Sequence, residues 1–338
     1  MQKKRLGSIL QYIFFLGGGI FLVWWQLKGM SAADRMEFNH ALHSANYWLM
    51  LPVVAMSLLS HLSRAMRWQL LLEPLGYKAS LKNLFSVIMV GYLANAAVPR
   101  LGEVLKCTFL ARYEKLKVDK LVGTIIVERT FDFFSYLVVI TITILLQYHV
   151  IGGFLQEKIS GFNSGSGIPV WGKILIALSA GIALLLLVRL LLKKLAHVDM
   201  VKKLQGIIQG LLQGFSTIKH LRRRKLFLAH TVFIWSMYLL QIYVGFFAIH
   251  ATSNLGILPA FSVLTLATLA MILTPGGIGT FPFFVMQTLA IYLIPDQQGK
   301  AFGWLMWGAS TSIVIVVGFA CLLLLPYINK KKQTDEAS

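Results

Sequence analysis

Four short stretches of an otherwise apolar chain carry the residues able to do chemistry. Arg64 and Arg67 lie in RAMRW (64–68), three apart and so on one helical face, with Trp68 beside Arg64. Asn95, Pro99, Arg100, Gly102, Glu103 and Lys106 crowd the stretch LANAAVPRLGEVLK (93–106). Glu128, Arg129 and Asp132 lie in VERTFD (127–132). Far down the chain, TPGGIGTFP (274–282) interrupts a second apolar region with Pro275, Gly276, Gly277 and Gly279. Guanidinium geometry suits bidentate contact with phosphate, so the arginines are expected to hold an anionic group. The carboxylates would hold those arginines in place or exchange with the anion. Arg129 and Asp132, three apart, are placed to pair, whereas Glu128 and Asp132, four apart, repel. Glu128 therefore needs a cation from elsewhere, and Arg64, Arg67 or Arg100 are the candidates. A plainer reading stands beside this one: basic residues gather at cytoplasmic helix ends, and such charges then only set topology.

Other chemistry is poorly supplied. The chain has no P-loop, no GxSxG, no nicotinamide fingerprint and no metal-ligand spacing, so neither a cofactor nor a metal is expected. PGGIG lacks the lysine and the preceding strand of a phosphate loop. Two cysteines, Cys107 and Cys321, show no paired spacing, and eight histidines form no ligand cluster.

The elements that must position these residues are membrane helices. Hydrophobic residues make up 57% of the chain and charged ones 13%, where a soluble domain is near a quarter charged. Several apolar runs approach the ~20 residues of a transmembrane helix, and their continuity excludes a β-barrel. The net charge of +19 then reads as cytoplasmic loops and attraction to anionic lipid, not as nucleic-acid binding. Full spans are expected at Ile9–Leu27, Tyr47–Ser63, Leu121–Gln147, Trp171–Leu192, Leu226–Ile249 and Ala301–Leu325. The first is too long for a signal-peptide core and is read as a retained helix with a cytoplasmic N-terminus. Lys28–Asn46 and Tyr148–Val170 read as external loops, and about 198–220 as an amphipathic cytoplasmic helix.

Charge decides the remaining topology. A complete crossing by Leu81–Val98 would put Arg100, Lys106, Arg112, Lys115, Lys117 and Lys120 outside, against the positive-inside bias. A re-entrant hairpin over about 81–120, broken near Asn95–Gly102, keeps all six inside. Pro99 removes a backbone donor and Gly102 tolerates unusual dihedrals. A second hairpin, about 256–295, breaks at Pro275–Gly279 and enters from outside. The expected fold is an all-α polytopic bundle in one domain (1–338), with about six full spans and two re-entrant hairpins in an inverted-repeat arrangement. Such repeats place the binding site where the breaks meet.

Together RAMRW, NAAVPRLGE, VERTFD and PGGIG resemble the flippase-like transmembrane family, also called the lysylphosphatidylglycerol synthase transmembrane region. The matching residues are Arg64, Arg67, Asn95, Pro99, Arg100, Gly102, Glu103, Glu128, Arg129, Asp132 and the Pro275–Gly279 break. The resemblance implies translocation of an anionic phospholipid or lipid-linked sugar. In the aminoacyl-lipid synthases this module accompanies a soluble transferase; this chain shows no room for one, so lysyl-lipid synthesis is not carried over and no enzyme is expected. Many members place a glutamate after the glycine break, where this chain reads TFPFF. The expected setting is a bacterial inner membrane, with both termini cytoplasmic. Rival readings are an ion-coupled carrier of a soluble anion, an enzyme acting on a lipid-linked sugar, and a non-catalytic membrane partner of a separate lipid-modifying enzyme.

Overall fold

A computed structural model describes residues 17–26, 28–98, 100–148 and 221–334, with side chains through residue 330. Within these residues the chain is helical throughout. After a helical stretch over 17–26 come α1 (Ala32–His43), α2 (Met50–Leu72), α3 (Leu81–Ala97), α4 (Leu101–Glu114) and α5 (Val118–Leu146). Beyond the undescribed segment follow α6 (Arg224–Phe246), α7 (Ile257–Leu273), α8 (Thr280–Ala290) and α9 (Asp296–Thr334). The expected span Trp171–Leu192, the amphipathic helix near 198–220, most of the Tyr148–Val170 loop and Pro99 lie outside the described residues.

Four helices are long and apolar enough to cross a bilayer: α2 with its flanking turns, α5, α6 and α9. They coincide with four of the expected spans. This is a polytopic helical membrane protein. Large apolar side chains such as Leu145, Val232 and Leu323 point outward from these helices, as they do where lipid is the solvent.

Two boundaries differ from expectation, each for a local reason. The stretch Lys28–Asn46, expected as an external loop, contains α1, started by a capping box in which Ser31 and Asp34 bond reciprocally. The Ser31 donors also hold the Asp34 carboxyl below its usual range. More consequentially, α2 does not stop at Ser63 but continues through Arg64 and Arg67 to Leu72. Those arginines are therefore buried within the body of a helix and not at its end.

The two interrupted regions fold as helical hairpins. In the first, the Gly102 amide donates to Asn95 Oδ1 at 2.7 Å, so α4 doubles back along α3. Its turn uses an extended Val98 and Arg100 at φ +67°. Gly102 is not itself the break, as the sequence reading had it; it is the second residue of α4. Its lack of a side chain serves packing: a Cβ there would overlap the Gly91 carbonyl oxygen and sit 2.7 Å from the Asn95 side chain. In the second hairpin, Thr280 Oγ1 donates to the Ala270 carbonyl at 3.0 Å, and Ser262 meets Tyr292 at 2.7 Å. Gly276, Gly277 and Gly279 turn the chain there at φ +61°, +69° and +71°, a conformation glycine adopts freely. The 11 residues of α8 extend only about 16 Å, roughly half a hydrocarbon core.

Helix α9 shows how the hairpins are related. The second hairpin packs along its N-terminal half: Gly299 lies against Met286 and Gly303 against Pro282, and Trp307 Nε1 donates to the Gly276 carbonyl at 2.8 Å. The first hairpin packs along its C-terminal half, through Gly318 against Leu93 and the Asn83–Asn329 amide pair at 2.9 Å. The hairpins therefore approach from opposite ends of one helix. Their tips meet near its middle, where a Cβ on Gly276 would lie 3.8 Å from Ala96 Cα.

Candidate functional site: a buried charge cluster

The cluster is built on α2. Its Ser57, Ser60, Ser63, Arg64, Arg67 and Trp68 are all buried, so they lie on the protein-facing side of the helix. Ser60 spends its hydroxyl on the Ser57 carbonyl, so a small polar residue satisfies itself within the helix. The arginines reach α5. Arg64 Nη1 donates to Glu128 at 2.8 Å and to Asp132 at 2.6 Å. Arg67 Nη2 donates to the other Asp132 oxygen at 2.6 Å and lies 3.6 Å from Glu128. Asp132 thus receives one arginine on each oxygen. Arg67 is 0% exposed and Glu128 1%.

A third cation comes from the first hairpin. Lys106 Nζ donates to Glu128 Oε2 at 3.4 Å and lies 4.8 Å above the Trp68 ring. Its stem passes directly over Gly91, where a Cβ would sit 2.6 Å from Lys106 Cγ. The glycine is what lets the lysine through. Supporting donors and acceptors complete the shell. Trp68 Nε1 donates to Thr124 at 2.8 Å, Arg67 to Thr231 and Arg64 to the Tyr238 hydroxyl, both at 3.2 Å. Arg67 also lies 5.5 Å from the Phe227 ring.

At the cluster's margin, Arg129 Nη2 donates to Glu103 at 2.8 Å, and Asn95 donates to the same Glu103 oxygen at 3.4 Å. This pair is open: the Arg129 side chain is 47% exposed. Asn95 therefore does two jobs, holding the Gly102 amide with its oxygen and Glu103 with its nitrogen.

The structure brings Arg64, Arg67, Glu128 and Asp132 into one buried group, with Asn95, Glu103 and Arg129 beside it. Two expectations are corrected. Arg129 does not pair with Asp132; both Asp132 oxygens are taken by arginines of α2, which leaves Arg129 to Glu103. Arg100 does not join the network. It is exposed at the hairpin turn and has no ion-pair partner among the described residues. Sequence reasoning placed Lys106 in the polar stretch 93–106 but left it out of the candidate ligands and gave it no partner, and it missed Tyr238 and Thr231 on α6. The helical register held a signal for the lysine. Gly102 and Lys106 are four apart, so the residue that packs against α3 and the residue that crosses it share a face.

The charge count gives the site its character. Three cations, Arg64, Arg67 and Lys106, surround two carboxylates, the buried Glu128 and Asp132, whose side chain is 17% exposed. Both arginine Nε atoms are buried without an acceptor among the described residues. Among these residues, no group of histidine, cysteine, aspartate or glutamate is arranged to hold a metal ion.

A multi-pass helical bundle with two helical hairpins packed on one long helix and a cation-rich charge cluster defines a class of integral membrane protein. The chain belongs to the family described as the lysylphosphatidylglycerol synthase TM region, whose profile matches residues 8–318. It is also similar to the UPF0104 membrane protein MJ1595 of Methanocaldococcus jannaschii, at 23% identity over 288 residues, covering 79% of this chain and 82% of that protein. No solved structure matches the chain significantly.

Proposed function

We propose that this protein binds an anionic phospholipid or lipid-linked intermediate and moves it between leaflets. One observation carries the reading: the buried cluster holds one more cation than it holds anions, and two guanidinium N–H groups there lack acceptors. Burying unbalanced charge is expensive, and a phosphate diester offers the missing negative charge and the missing acceptors. The family name supports a lipid headgroup as the source of that phosphate. The open Arg129–Glu103 pair is the point of first contact, where a headgroup exchanges with Glu103 for the guanidinium. The chain acts without catalysing a reaction and without a cofactor, and a separate lipid-modifying enzyme supplies or consumes the lipid.

Native mass spectrometry of the purified protein tests the reading. Co-purifying anionic lipid is expected, and Arg64→Gln should reduce its occupancy at least tenfold, whereas Arg223→Gln at the exposed start of α6 should not. Equal occupancy in both variants would leave the cluster a purely structural network. A soluble anion that displaces all lipid would favour the ion-coupled carrier.

The proposed orientation puts both termini and Arg100–Lys120 on the cytoplasmic side of an inner membrane. Arg222 and Arg223, just before α6, and Arg224 at its start join them there. Lys115→Cys in a cysteine-free background should react with an impermeant thiol reagent only after the cells are opened. Labelling of that position in intact cells sinks the first re-entrant hairpin.

A further inference from the structure

The turn of the second hairpin is gripped by the helical stretch over 17–26. Gly19, Leu22, Val23 and Gln26 recur at helical spacing, so one face of that stretch meets the turn after α7. Two glycines let backbone lie on backbone there. A Cβ on Gly279 would overlap the Gly19 carbonyl oxygen, and one on Gly19 would sit 2.7 Å from the Ile278 carbonyl oxygen. A Cβ on Gly279 would also lie 3.1 Å from Leu22 Cβ and 3.2 Å from Val23 Cγ2. At the end of the same face, buried Gln26 donates from Nε2 to the Gly279 carbonyl at 2.9 Å. Beside it, the Trp25 and Phe283 rings are 6.1 Å apart.

This stretch is itself tied to α9. Gln26 lies in the last turn of its helix, where carbonyls lack helical partners and a cation is favoured. Lys300, 7% exposed, fills that place: its Nζ donates to the Gln26 carbonyl at 3.4 Å and to Gln297 Oε1 at 3.1 Å. Farther along, α1 is fastened to the start of α9 by Gln298 Nε2, which donates to Glu37 at 3.0 Å. Thus α9 reaches the hairpin tip directly through Trp307 and Gly276, and indirectly through Lys300, Gln26 and Gly279. Gly276, which faces Ala96, is three residues from Gly279. The tip therefore leaves the first hairpin either by breaking the Gln26 bond or by dragging a helix that is anchored on α9.

We propose that 17–26 is a strap that latches the second hairpin against the first, with Gln26 as its catch and Lys300 as its anchor. Closed, the strap keeps Gly276 on Ala96. Released at Gly279, it stays on α9 through Lys300 and α1 while the tip moves. The catch is one neutral hydrogen bond, whose modest net worth lets it break and reform. That the opened seam passes a lipid rests on the function proposed above; the latch itself does not.

Amide hydrogen exchange of the full chain in phosphatidylcholine nanodiscs tests the latch without any cargo. Gln26→Met keeps the length of the side chain and removes the donor. Exchange across 274–283 should rise about fivefold, the worth of one hydrogen bond, while exchange across 95–103 stays within twofold. Lys300→Met should raise exchange in the same segment. A third chain works in the opposite direction: Trp25→Cys with Phe283→Cys in a cysteine-free background, joined by a short bifunctional thiol reagent. Joining should slow exchange across 274–283 at least tenfold relative to the same chain unjoined. Unchanged exchange there in Gln26→Met overturns the latch, and so does an equal rise across 95–103, which marks a general loosening. Movement of an acyl-labelled phosphatidylglycerol across vesicles is a separate arm, and joining the cysteine pair should stop it. Lipid moving at one rate in joined and unjoined chains overturns the strap as the element that opens the seam. A wild-type chain that moves no lipid, with tip exchange responding as expected, removes the lipid reading and leaves the latch standing.

Discussion

Glu128→Gln should be the most damaging single substitution in the protein, lowering folding stability by about 3–5 kcal/mol, the range for breaking a buried ion pair from one side. Glu128 is 1% exposed and faces Arg64 at 2.8 Å, Lys106 at 3.4 Å and Arg67 at 3.6 Å. With its charge removed, three cations share Asp132 alone, and Lys106 keeps no carboxylate within reach among the described residues. Thermal unfolding in detergent micelles measures the loss, and a second substitution identifies its cause. Lys106→Met in the same chain removes the stranded cation and refills the space over Trp68 with an unbranched side chain. The double variant should recover at least half of the lost stability. A double variant no better than the single one would place the damage in packing. A fully stable Glu128→Gln would show that the cluster is not buried as described.

Gly102→Val should be nearly as severe, for a steric reason. A Cβ at this position overlaps the Gly91 carbonyl oxygen and crowds the Asn95 side chain, so the arms of the first hairpin must separate. Overpacking costs about 1–3 kcal/mol, and losing the Asn95 bond to the Gly102 amide adds about 1–3 kcal/mol for a polar group left unpaired. Because Lys106 and Glu103 ride on α4, separation also draws both from Glu128 and Arg129. Gly123→Val on α5 is the control, since nothing lies within 4 Å of a Cβ there. Equal stability of the two variants would mean that α3 and α4 are not held at this distance.

The sequence made the membrane class legible because burying charge is costly: Arg64, Arg67, Glu128 and Asp132 stand out against apolar neighbours and needed one another. It did not reveal who pairs with whom. Spacing within α5 favours Arg129 with Asp132, but two arginines arriving from α2 supply both Asp132 oxygens, a choice made by helix packing and not by local register. Lys106, named in the polar stretch 93–106, was given no partner for a related reason. A lysine among other basic residues reads as topology, and only the close passage over Gly91 makes it a buried cation. The extension of α2 past Ser63 was likewise unreadable, since arginines end a membrane helix unless partners elsewhere neutralise them. Arg100 illustrates the converse: its neighbours suggested a site, yet the turn points it outward.

The contact between Gly276 and Ala96 has a mechanical meaning. Where Gly276 faces Ala96, the two residues are a glycine and an alanine, the smallest of side chains. Dispersion across so small an area amounts to a few atom pairs at about 0.1–0.2 kcal/mol each. Such a point of contact opposes sliding little, because neither residue has a rotamer to change. On the function proposed above, this seam is where a path between the two faces would open, while the charges that bind the lipid sit on the helices beside it.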